Sequence, residues 1–536
     1  MRESLFGASL SLVFVVSATA QSNAIPGLDA SIYDVGSATI YGRTGPAYPN
    51  GVAGIVHGHS MANCGSVHIP WDGVVGGQLV DQHLKIAFLL ARESNGRMVQ
   101  VSGKSHCKHS RIAFNFSGNS PCGPCQSGPA NTFRIGCYDI YGAGFNGNRS
   151  YLGPTPEIDP WLGTWDPVGS YFDIGDPQQG NYPQPADGVQ SLDTTGFDVA
   201  KNRMEVPESE LVQPGVFYAQ NQVVVGGEPV ANRGNNLVSA AMAFNWNGSS
   251  WSATPPVGAQ AGSVLTRWTG AANGMASNGA DDGRFMVACR VTGPVEGLWH
   301  YEYAVHNIDN QRGGASLRIP VCPTARVENI GFRDIDGDPL NDWSTSVSGG
   351  EVQILASANN PLDWNTIYNV WFDSDVAPVA GSVTIDEARL GPGALSVAVP
   401  IQVPGLQGTA HLGAGCGTPE TGLWANGVPA SPNPGYALEA SGGAGNFVLV
   451  AFAAAPATAP IGASCTLFVD ANQILVSDLV QLDAGGSYSY AVPVPAGLAP
   501  TDLAVQAFEF YPNGPFLGFG GSSNGLLIRA AGTGCR

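Results

Sequence analysis

The sequence predicts a mainly β fold: multi-domain β-sandwiches with a loop-rich, cysteine-rich N-terminal region. The first observation is composition, because 72 Gly and 39 Pro occur in a chain of 536 residues of which only 12% are charged. Glycine supplies positive φ angles and proline fixes φ, so this composition suits short strands joined by tight turns. The second observation is that apolar and polar residues alternate along several segments between 284 and 390, as half-buried strands require. A hydrophobic content of 43% is too high for a disordered chain.

The first twenty residues have the pattern of a secretory signal peptide. Arg2 provides the charged start, an apolar run follows from Leu5 to Val16, and Ala18-Thr-Ala20 places small residues at the cleavage site. We therefore expect segment 1–20 to be removed before Gln21. No later segment is apolar without interruption over the length of a membrane-spanning helix. The sequence thus predicts a secreted protein, extracellular or at the cell surface, without a transmembrane segment.

The next region, 21–188, is rich in cysteine and histidine and is predicted to form β-structure and loops. Because export favours disulfides over free thiols, we expect disulfides among its five cysteines, Cys64, Cys107, Cys122, Cys125 and Cys137. An odd number leaves one of them unpaired or paired across domains. A redox role for the Cys122-Gly-Pro-Cys125 motif would need a helix in a βαβ unit, which the sequence lacks. Structural zinc on four cysteines is the alternative to disulfides.

Strand patterns continue through the chain. Segments 83–92 and 97–101 read as two strands joined by the turn 93–96. After a Pro/Gly-rich linker at 174–188, we expect a β-sandwich at 189–393 and a separate C-terminal β-sandwich at 394–536, where lysine is absent. Two further disulfides are expected within these sandwiches, between Cys289 and Cys322 and between Cys416 and Cys465.

Several segments carry a resemblance to a known family. They are Gly297 to Asn307, Gly331 to Asp336, Trp364 to Asp373, and the set Lys108-His109, Cys122, Cys125, Gly136-Cys137, Asn146-Gly147 and Leu152-Gly-Pro154. Together, over roughly 50–390, they resemble a family of secreted β-rich proteins from planctomycete-type bacteria. The C-terminal part resembles a β-sandwich module found in exported proteins of such bacteria. The resemblance implies fold and export but no activity, and the sequence departs from the family pattern around His57, His59 and Cys107.

The net charge of −19 argues against a nucleic-acid partner, which would require basic patches. Two functional hypotheses remain. In the first, the protein binds or scaffolds an extracellular polymer or a cell-surface component. In the second, it is a secreted copper- or zinc-dependent enzyme.

The enzyme hypothesis depends on two histidine pairs, His57/His59 and His106/His109. In a strand, His57 and His59 point to the same side, which suits chelation of copper or zinc by imidazole. The alternative is that these are hydrogen-bonded histidines of a β-rich protein. The segment Gly58-His-Ser-Met-Ala62 resembles a nucleophile elbow around Ser60, but no helix pattern follows it, so a hydrolase is not indicated.

A cluster of carboxylates in the second predicted sandwich suggests calcium. Asp334, Asp336, Asp338 and Asp342 occupy positions 1, 3, 5 and 9 of a loop, a spacing that wraps oxygen ligands around Ca²⁺. Pro339 stands where such loops usually carry glycine. The alternative is a solvated acidic turn capped by aspartate side chains.

Aromatic residues at alternate strand positions could stack on sugars. The candidates are Trp161 with Trp165, and Trp299 with Tyr301 and Tyr303. Such residues are more often core or cross-strand pairs, so we expect a packing role.

Overall fold

A computed structural model describes residues 22–279, 282–295, 297–323, 325–357, 359–405, 408–462 and 464–531. The predicted signal segment 1–20 lies outside these residues. Three β-sandwiches follow one another along the chain, each with its own apolar core. The predicted class, mainly β with several sandwiches, is confirmed.

The strands of the first sandwich and its associated hairpins are β1 (Ala30–Thr44), β2 (Val52–Asn63), β3 (Ile69–Pro70), β4 (Asp72–Val75), β5 (Gln78–Gln82), β6 (Lys85–Ser94), β7 (Arg97–Gln100), β8 (Cys107–His109), β9 (Thr132–Phe133), β10 (Tyr138–Tyr141), β11 (Leu152–Gly153), β12 (Ile158–Asp159), β13 (Thr164–Trp165), β14 (Met204–Pro207), β15 (Val216–Val224), β16 (Leu237–Met242), β17 (Phe244–Trp246), β18 (Trp251–Ala253) and β19 (Val257–Ala261). Its short α-helices are α1 (Ala143–Asn146), α2 (Tyr171–Ile174) and α3 (Glu208–Leu211).

Two sheets enclose the first core. One consists of β1, β2, β10 and β14, and the other runs β11-β8-β6-β15-β16-β19 with β7 beside β6. The β6–β7 hairpin confirms the predicted turn at 93–96. Asn95 and Gly96 have φ angles of 50° and 80°, and two consecutive positive φ values match the right-handed twist of paired strands.

The boundary between the first two sandwiches lies later than the expected division at 188 and 189. Strand β15 pairs with β6 along its whole length, from Val216 opposite Glu93 to Val224 opposite Lys85. Strands β14 to β19 therefore complete the first sandwich. Alternation of apolar and polar residues identifies strands, but it does not tell which distant strand pairs with which. The sequence therefore could not place the boundary between the first and second sandwiches.

The second sandwich has the strands β20 (Ala272–Ser277), β21 (Arg284–Val295), β22 (Leu298–Asn307), β23 (Ser316–Pro320), β24 (Val327–Arg333), β25 (Ser344–Ser348), β26 (Glu351–Leu355), β27 (Thr366–Ser374), β28 (Pro378–Asp386) and β29 (Ser396–Pro404). Its sheets run β20-β21-β22-β27-β24 and β25-β26-β23-β28-β29. Because β29 pairs with β28, this sandwich extends past the expected end at 393 to Pro404.

The third sandwich has the strands β30 (Thr409–Leu412), β31 (Gly422–Asn426), β32 (Ala437–Ser441), β33 (Phe447–Ala453), β34 (Pro456–Ile461), β35 (Cys465–Val469), β36 (Ile474–Gln481), β37 (Ser487–Ala491), β38 (Thr501–Phe510) and β39 (Gly520–Ala530). A sheet in the order β30-β39-β38-β33-β36 packs against the smaller sheet β31-β32-β37. No helix among the described residues is long and apolar enough to cross a membrane.

Disulfides staple the cysteine-rich region as predicted. Cys64 is bonded to Cys122 and Cys125 to Cys137, while Cys107 is the odd cysteine and is a buried free thiol.

In the other sandwiches one of the two expected disulfides forms. The bond between Cys416 and Cys465 is confirmed. The expected Cys289–Cys322 bond is wrong, because Cys289 is a free thiol whose side chain points from β21 into the second core.

The aromatic candidates serve packing, as expected. Trp161, Trp165, Tyr301 and Tyr303 are all buried. The two tyrosine hydroxyls donate hydrogen bonds to the carbonyl oxygens of Val376 and Gln402, at 2.6 and 2.9 Å. Buried rings whose polar ends are satisfied internally offer no platform for a ligand.

Candidate ligand-binding pocket

An open polar cavity of about 570 Å³ lies on the first sandwich. We call it the His106 pocket. Three chain segments line it: Lys104 and His106 immediately before β8, the loop 154–182 that contains α2, and the segment 198–205 that leads into β14. Asn202 in the last segment has a φ angle of 68°, a left-handed conformation that asparagine adopts more readily than most residues.

A hydrogen-bond network fixes one wall of the His106 pocket. The hydroxyl of Tyr171 donates to Asp176 Oδ2 at 2.9 Å and accepts from Asn202 Nδ2 at 2.9 Å. Lys201 Nζ lies 2.5 Å from the same Asp176 oxygen and 2.9 Å from Gln178 Oε1. Burial alone would raise the pKa of Asp176, but the bonds from Lys201, the Gln178 backbone N–H and Tyr171 outweigh it and lower that pKa. Asp176 is therefore ionised and its charge is paired with Lys201.

His106 contributes an uncharged imidazole to the same pocket. Its ring centroid lies 5.2 Å from that of Tyr171. Burial lowers the pKa of His106 to about 4, so the ring is neutral at physiological pH. Among the described residues, the Nδ1 atom of His106 has no hydrogen-bond partner. Nδ1 is thus a buried polar atom of the pocket wall whose partner is not among the described residues.

A second cavity of about 320 Å³ adjoins the His106 pocket, and Lys104 lines both. We call it the Asp336 pocket. Other polar residues of the second sandwich line it, namely Asp336, Asn341, Asn360, Asp363 and Tyr368. Lys104 Nζ forms an ion pair with Asp363 Oδ2 at 2.5 Å, so the two cavities meet where the first and second sandwiches are bridged.

The predicted pair His57 and His59 lies on β2 inside the first sandwich. The His57 ring contacts Phe88 of the opposite sheet edge-on, with centroids 5.5 Å apart. His59 Nδ1 lies 3.0 Å from Asn146 Nδ2, and its ring stacks on Tyr141. Burial lowers the pKa of His57 to about 4 and that of His59 to about 3. Both are neutral core histidines.

His109 lies on the opposite face of the larger sheet of the first sandwich. In β8, side chains alternate between faces, and Lys108 is directed at α1 inside the sandwich, with its Nζ donating to Phe145 O at 2.8 Å. His109 therefore faces outward, where its Nδ1 lies 2.8 Å from Nε2 of His83 and Trp165 and Phe172 cover its ring.

The structure thus brings His109 together with His83, which sequence reasoning did not single out, and keeps the two predicted pairs apart. No group of three or more His, Cys, Asp or Glu residues in the described part of the chain is arranged to hold a metal ion. Copper or zinc binding therefore remains a hypothesis drawn from the sequence. In the described part of the chain, no common set of metal ligands is formed by His57, His59, His106 and His109.

The acidic loop uses its carboxylates to cap its own backbone. Oδ1 of Asp334, Asp336 and Asp338 each accepts the N–H two residues further on, at 3.0, 2.7 and 3.0 Å. Asp334 is also held by Asn360 Nδ2 at 2.6 Å, and burial raises its pKa. Asp342 is exposed. These are the bonds of an acidic turn capped by its own aspartate side chains, and calcium binding by these four residues remains a prediction.

Fold and cavities together define a protein built of β-sandwiches with a polar pocket on the first of them. No family model matches the chain, and no curated protein matches it. Among solved structures, the chain is similar to BcpA, the major pilin subunit of Bacillus cereus, at 11% identity over 64% of this chain and 87% of that chain, with a TM-score of 0.19. A variant form of that pilin is similar at 12% identity over 61% of this chain and 81% of that chain, also with a TM-score of 0.19. Values this low carry no inference about function.

Proposed function

We propose that the protein is an extracellular or cell-surface binding protein whose first sandwich binds a neutral, polyhydroxylated polymer in the His106 pocket. The observation that carries this proposal is the fixed network of Tyr171, Asp176, Lys201 and Asn202 beside the neutral ring of His106. Asp176 and Lys201 neutralise each other, and the other charged residues of the lining, among them Glu157 and Arg203, carry both signs. The pocket therefore favours neither an anion nor a cation. Hydroxyl groups both donate and accept hydrogen bonds, and they suit a wall of mixed donors and acceptors.

The extent of the surface favours a polymer over a single small molecule. The His106 pocket and the Asp336 pocket share Lys104, so an extended ligand can contact both. Tyr182 lines the His106 pocket and is 38% exposed, which leaves part of its ring available to stack on a sugar. The predicted export would bring the protein into contact with extracellular polysaccharide.

The test measures retention of the purified protein on insoluble cellulose, chitin and xylan, followed by titration with the hexasaccharide of the retaining polymer. We expect binding to at least one, and we expect Tyr182→Ala to weaken it about 2- to 10-fold through loss of aromatic contact. His106→Ala should weaken it further by removing the neutral imidazole beside Tyr171. Tyr488→Ala is the matched control, since Tyr488 is similarly exposed but lies on the third sandwich.

Two results would contradict the proposal. One is that none of the polymers retains the protein. The other is that the two pocket variants bind as tightly as the Tyr488→Ala control.

A further inference from the structure

A third cavity, of about 520 Å³, lies between the second and third sandwiches. Asp375, which follows β27, lines it from the second sandwich. His411 of β30, Trp424 of β31 and Asn524 of β39 line it from the third. We call it the Asp375 cleft. It shares no lining residue with the His106 pocket or the Asp336 pocket.

Three buried polar atoms in the Asp375 cleft have no hydrogen-bond partner among the described residues. They are Oδ2 of Asp375, Nε2 of His411 and Nε1 of Trp424. Most buried polar groups in folded proteins have a hydrogen-bond partner, and three unpartnered atoms that line one cavity call for an explanation. A ligand that supplies the missing partners is such an explanation.

The position of the proton on His411 follows from its neighbour Asn524. Asn524 Oδ1 accepts the N–H of Leu423 at 3.0 Å, and its Nδ2 donates to the carbonyl of Leu423 at 2.8 Å, which fixes the orientation of the amide. The same Nδ2 lies 3.1 Å from His411 Nδ1, so Nδ1 accepts and Nε2 carries the hydrogen. Burial, reinforced by Arg326, lowers the pKa of His411 to about 4, so the ring is a neutral donor.

Asp375 supplies the complementary acceptor. Its Oδ1 accepts the backbone N–H of Arg326 at 2.9 Å, which leaves Oδ2 free to bond elsewhere. His411 Nε2 lies 3.9 Å from this oxygen, too far for a hydrogen bond. A hydroxyl oxygen about 2.8 Å from each atom would accept from His411 and donate to Asp375. The N–H of Trp424 is available to a second hydroxyl.

The chemistry of these three atoms selects one class of ligand. Arg326, Asp375 and Glu420 line the cleft with charges of both signs, so the cleft favours neither an anion nor a cation. Burial raises the pKa of Asp375 to about 7, so this carboxyl group accepts a hydrogen bond when ionised and donates one when protonated. A group that donates and accepts at once satisfies all three. We propose that the Asp375 cleft is a second, separate binding site for a neutral polyhydroxylated ligand, a sugar or polyol, anchored by Asp375, His411 and Trp424.

The test uses the full chain carrying Tyr182→Ala and His106→Ala. These substitutions reduce the contribution of the His106 pocket, so that a failure of either proposal is recognised separately. Xylohexaose, cellohexaose and maltohexaose are titrated calorimetrically up to 5 mM. We expect at least one to bind with one site per chain. Adding Trp424→Phe, which keeps the ring but removes the N–H donor, or Asp375→Asn should each weaken binding about 10-fold.

Unchanged melting temperatures of these variants establish that they remain folded. A third variant, Tyr488→Ala, serves as a surface control outside the cleft. Absence of heat for all three oligosaccharides would overturn the proposal. Equal affinity of the Trp424→Phe and Asp375→Asn variants with their parent would overturn it as well.

Discussion

Glu228 is a fully buried carboxyl group in the first sandwich. Its Oε1 accepts the backbone N–H of Ala30 at 2.8 Å, and its Oε2 accepts from Asn236 Nδ2. Burial raises the pKa of Glu228 from 4.5 to about 7, against the opposing effects of Asn236, Ala30 and Arg233. The folded protein therefore holds this proton more tightly than the unfolded chain. Its contribution to stability is fully present below the unfolded pKa and is lost as the pH rises from about 4.5 to 7.

The substitution Glu228→Gln removes this titration. The side-chain amide oxygen of Asn236 has no partner among the residues that the structure describes, so Asn236 can rotate to accept a hydrogen from the new amide. We expect the variant to lose less stability than the parent between pH 5 and 7.5, measured by chemical denaturation at each pH.

Glu208→Gln is the control of opposite sign. A hydrogen bond from Arg43 lowers the pKa of Glu208 to about 2, so its contribution is present above pH 4.5 and is lost toward pH 2. Glu208→Gln should remove this loss of stability at acid pH and leave the free energy of unfolding between pH 5 and 7.5 unchanged. If the free energy of unfolding of Glu228→Gln and of the parent changed equally with pH between 5 and 7.5, the raised pKa of Glu228 would be contradicted.

At the scale of single elements, loops depend on local bonds that close them. The disulfide between Cys125 and Cys137 closes a loop of 12 residues and that between Cys416 and Cys465 one of 49. Each restricts the unfolded chain, which suits regions whose Gly- and Pro-rich sequences form few long strands. The Asp334–Asp342 loop has no such covalent closure and relies on its aspartate caps.

The calcium hypothesis makes a definite prediction for this loop. If Asp334, Asp336, Asp338 and Asp342 bind calcium with an affinity in the extracellular range, tenfold excess calcium adds about 1.4 kcal/mol to the stability of the second sandwich. Calorimetry of the intact protein with millimolar calcium or with chelator measures this, and Asp336→Ala should abolish the rise.

Asp502→Ala, an acidic residue of the third sandwich, is the control and should leave the calcium response intact. A melting curve that does not change with calcium would leave residues 334–342 as a turn held by its own hydrogen bonds.

At the scale of the molecule, the first and second sandwiches share a buried apolar interface. It is formed by Leu89, Ala91, Met98, Leu237, Val264, Leu265 and Trp268 with Met286, Ala288, Ala304, Ile308 and Ile367. Polar bonds reinforce it, since Asn369 Nδ2 donates to Met98 O at 2.8 Å and the Arg97 guanidinium lies 3.8 Å from the centre of the Trp371 ring. Two domains joined by such an interface should unfold together.

The substitution Met98→Ala tests this coupling. Met98 is fully buried, and we expect its truncation to lower the free energy of unfolding by about 2–5 kcal/mol. The melting temperatures of the first and second sandwiches should fall together. Leu526→Ala, in the separate core of the third sandwich, should lower only the transition of that sandwich. Both are followed by calorimetry. Separate responses of the first two sandwiches to Met98→Ala would refute the coupling.

The sequence predicted features that depend on near neighbours. Alternation over a few residues identified strands such as β21 and β22, and a four-residue turn fixed the β6–β7 hairpin. Cysteine density predicted the disulfide-bonded region and the odd count predicted one cysteine outside it, and the structure identifies that cysteine as Cys107. These signals are local because side-chain direction and turn geometry are set within a few residues.

The candidate site was only partly visible in the sequence. His106 was selected as one of a metal-binding pair, but its neighbours Tyr171, Asp176 and Asn202 carry no motif, and Asp176 lies in a segment read as a linker. No spacing rule relates His106 to residues that follow it by 65 to 96 positions. Their meeting depends on how the loop 154–205 folds over the sheet edge.

The sequence by itself determined the class of this protein: β-sandwiches with tight turns, disulfides in the cysteine-rich region, and a net charge of −19. Only the tertiary structure decided which strands complete which sheet, that β15 belongs beside β6, and that His59 and His109 lie on opposite sides of a sheet. It also decided that Asp375 and His411, from different sandwiches, face one cleft. The physical reason is that the alternation of side chains along a strand is encoded locally. The pairing of strands and the shape of cavities arise from contacts between residues far apart in the chain.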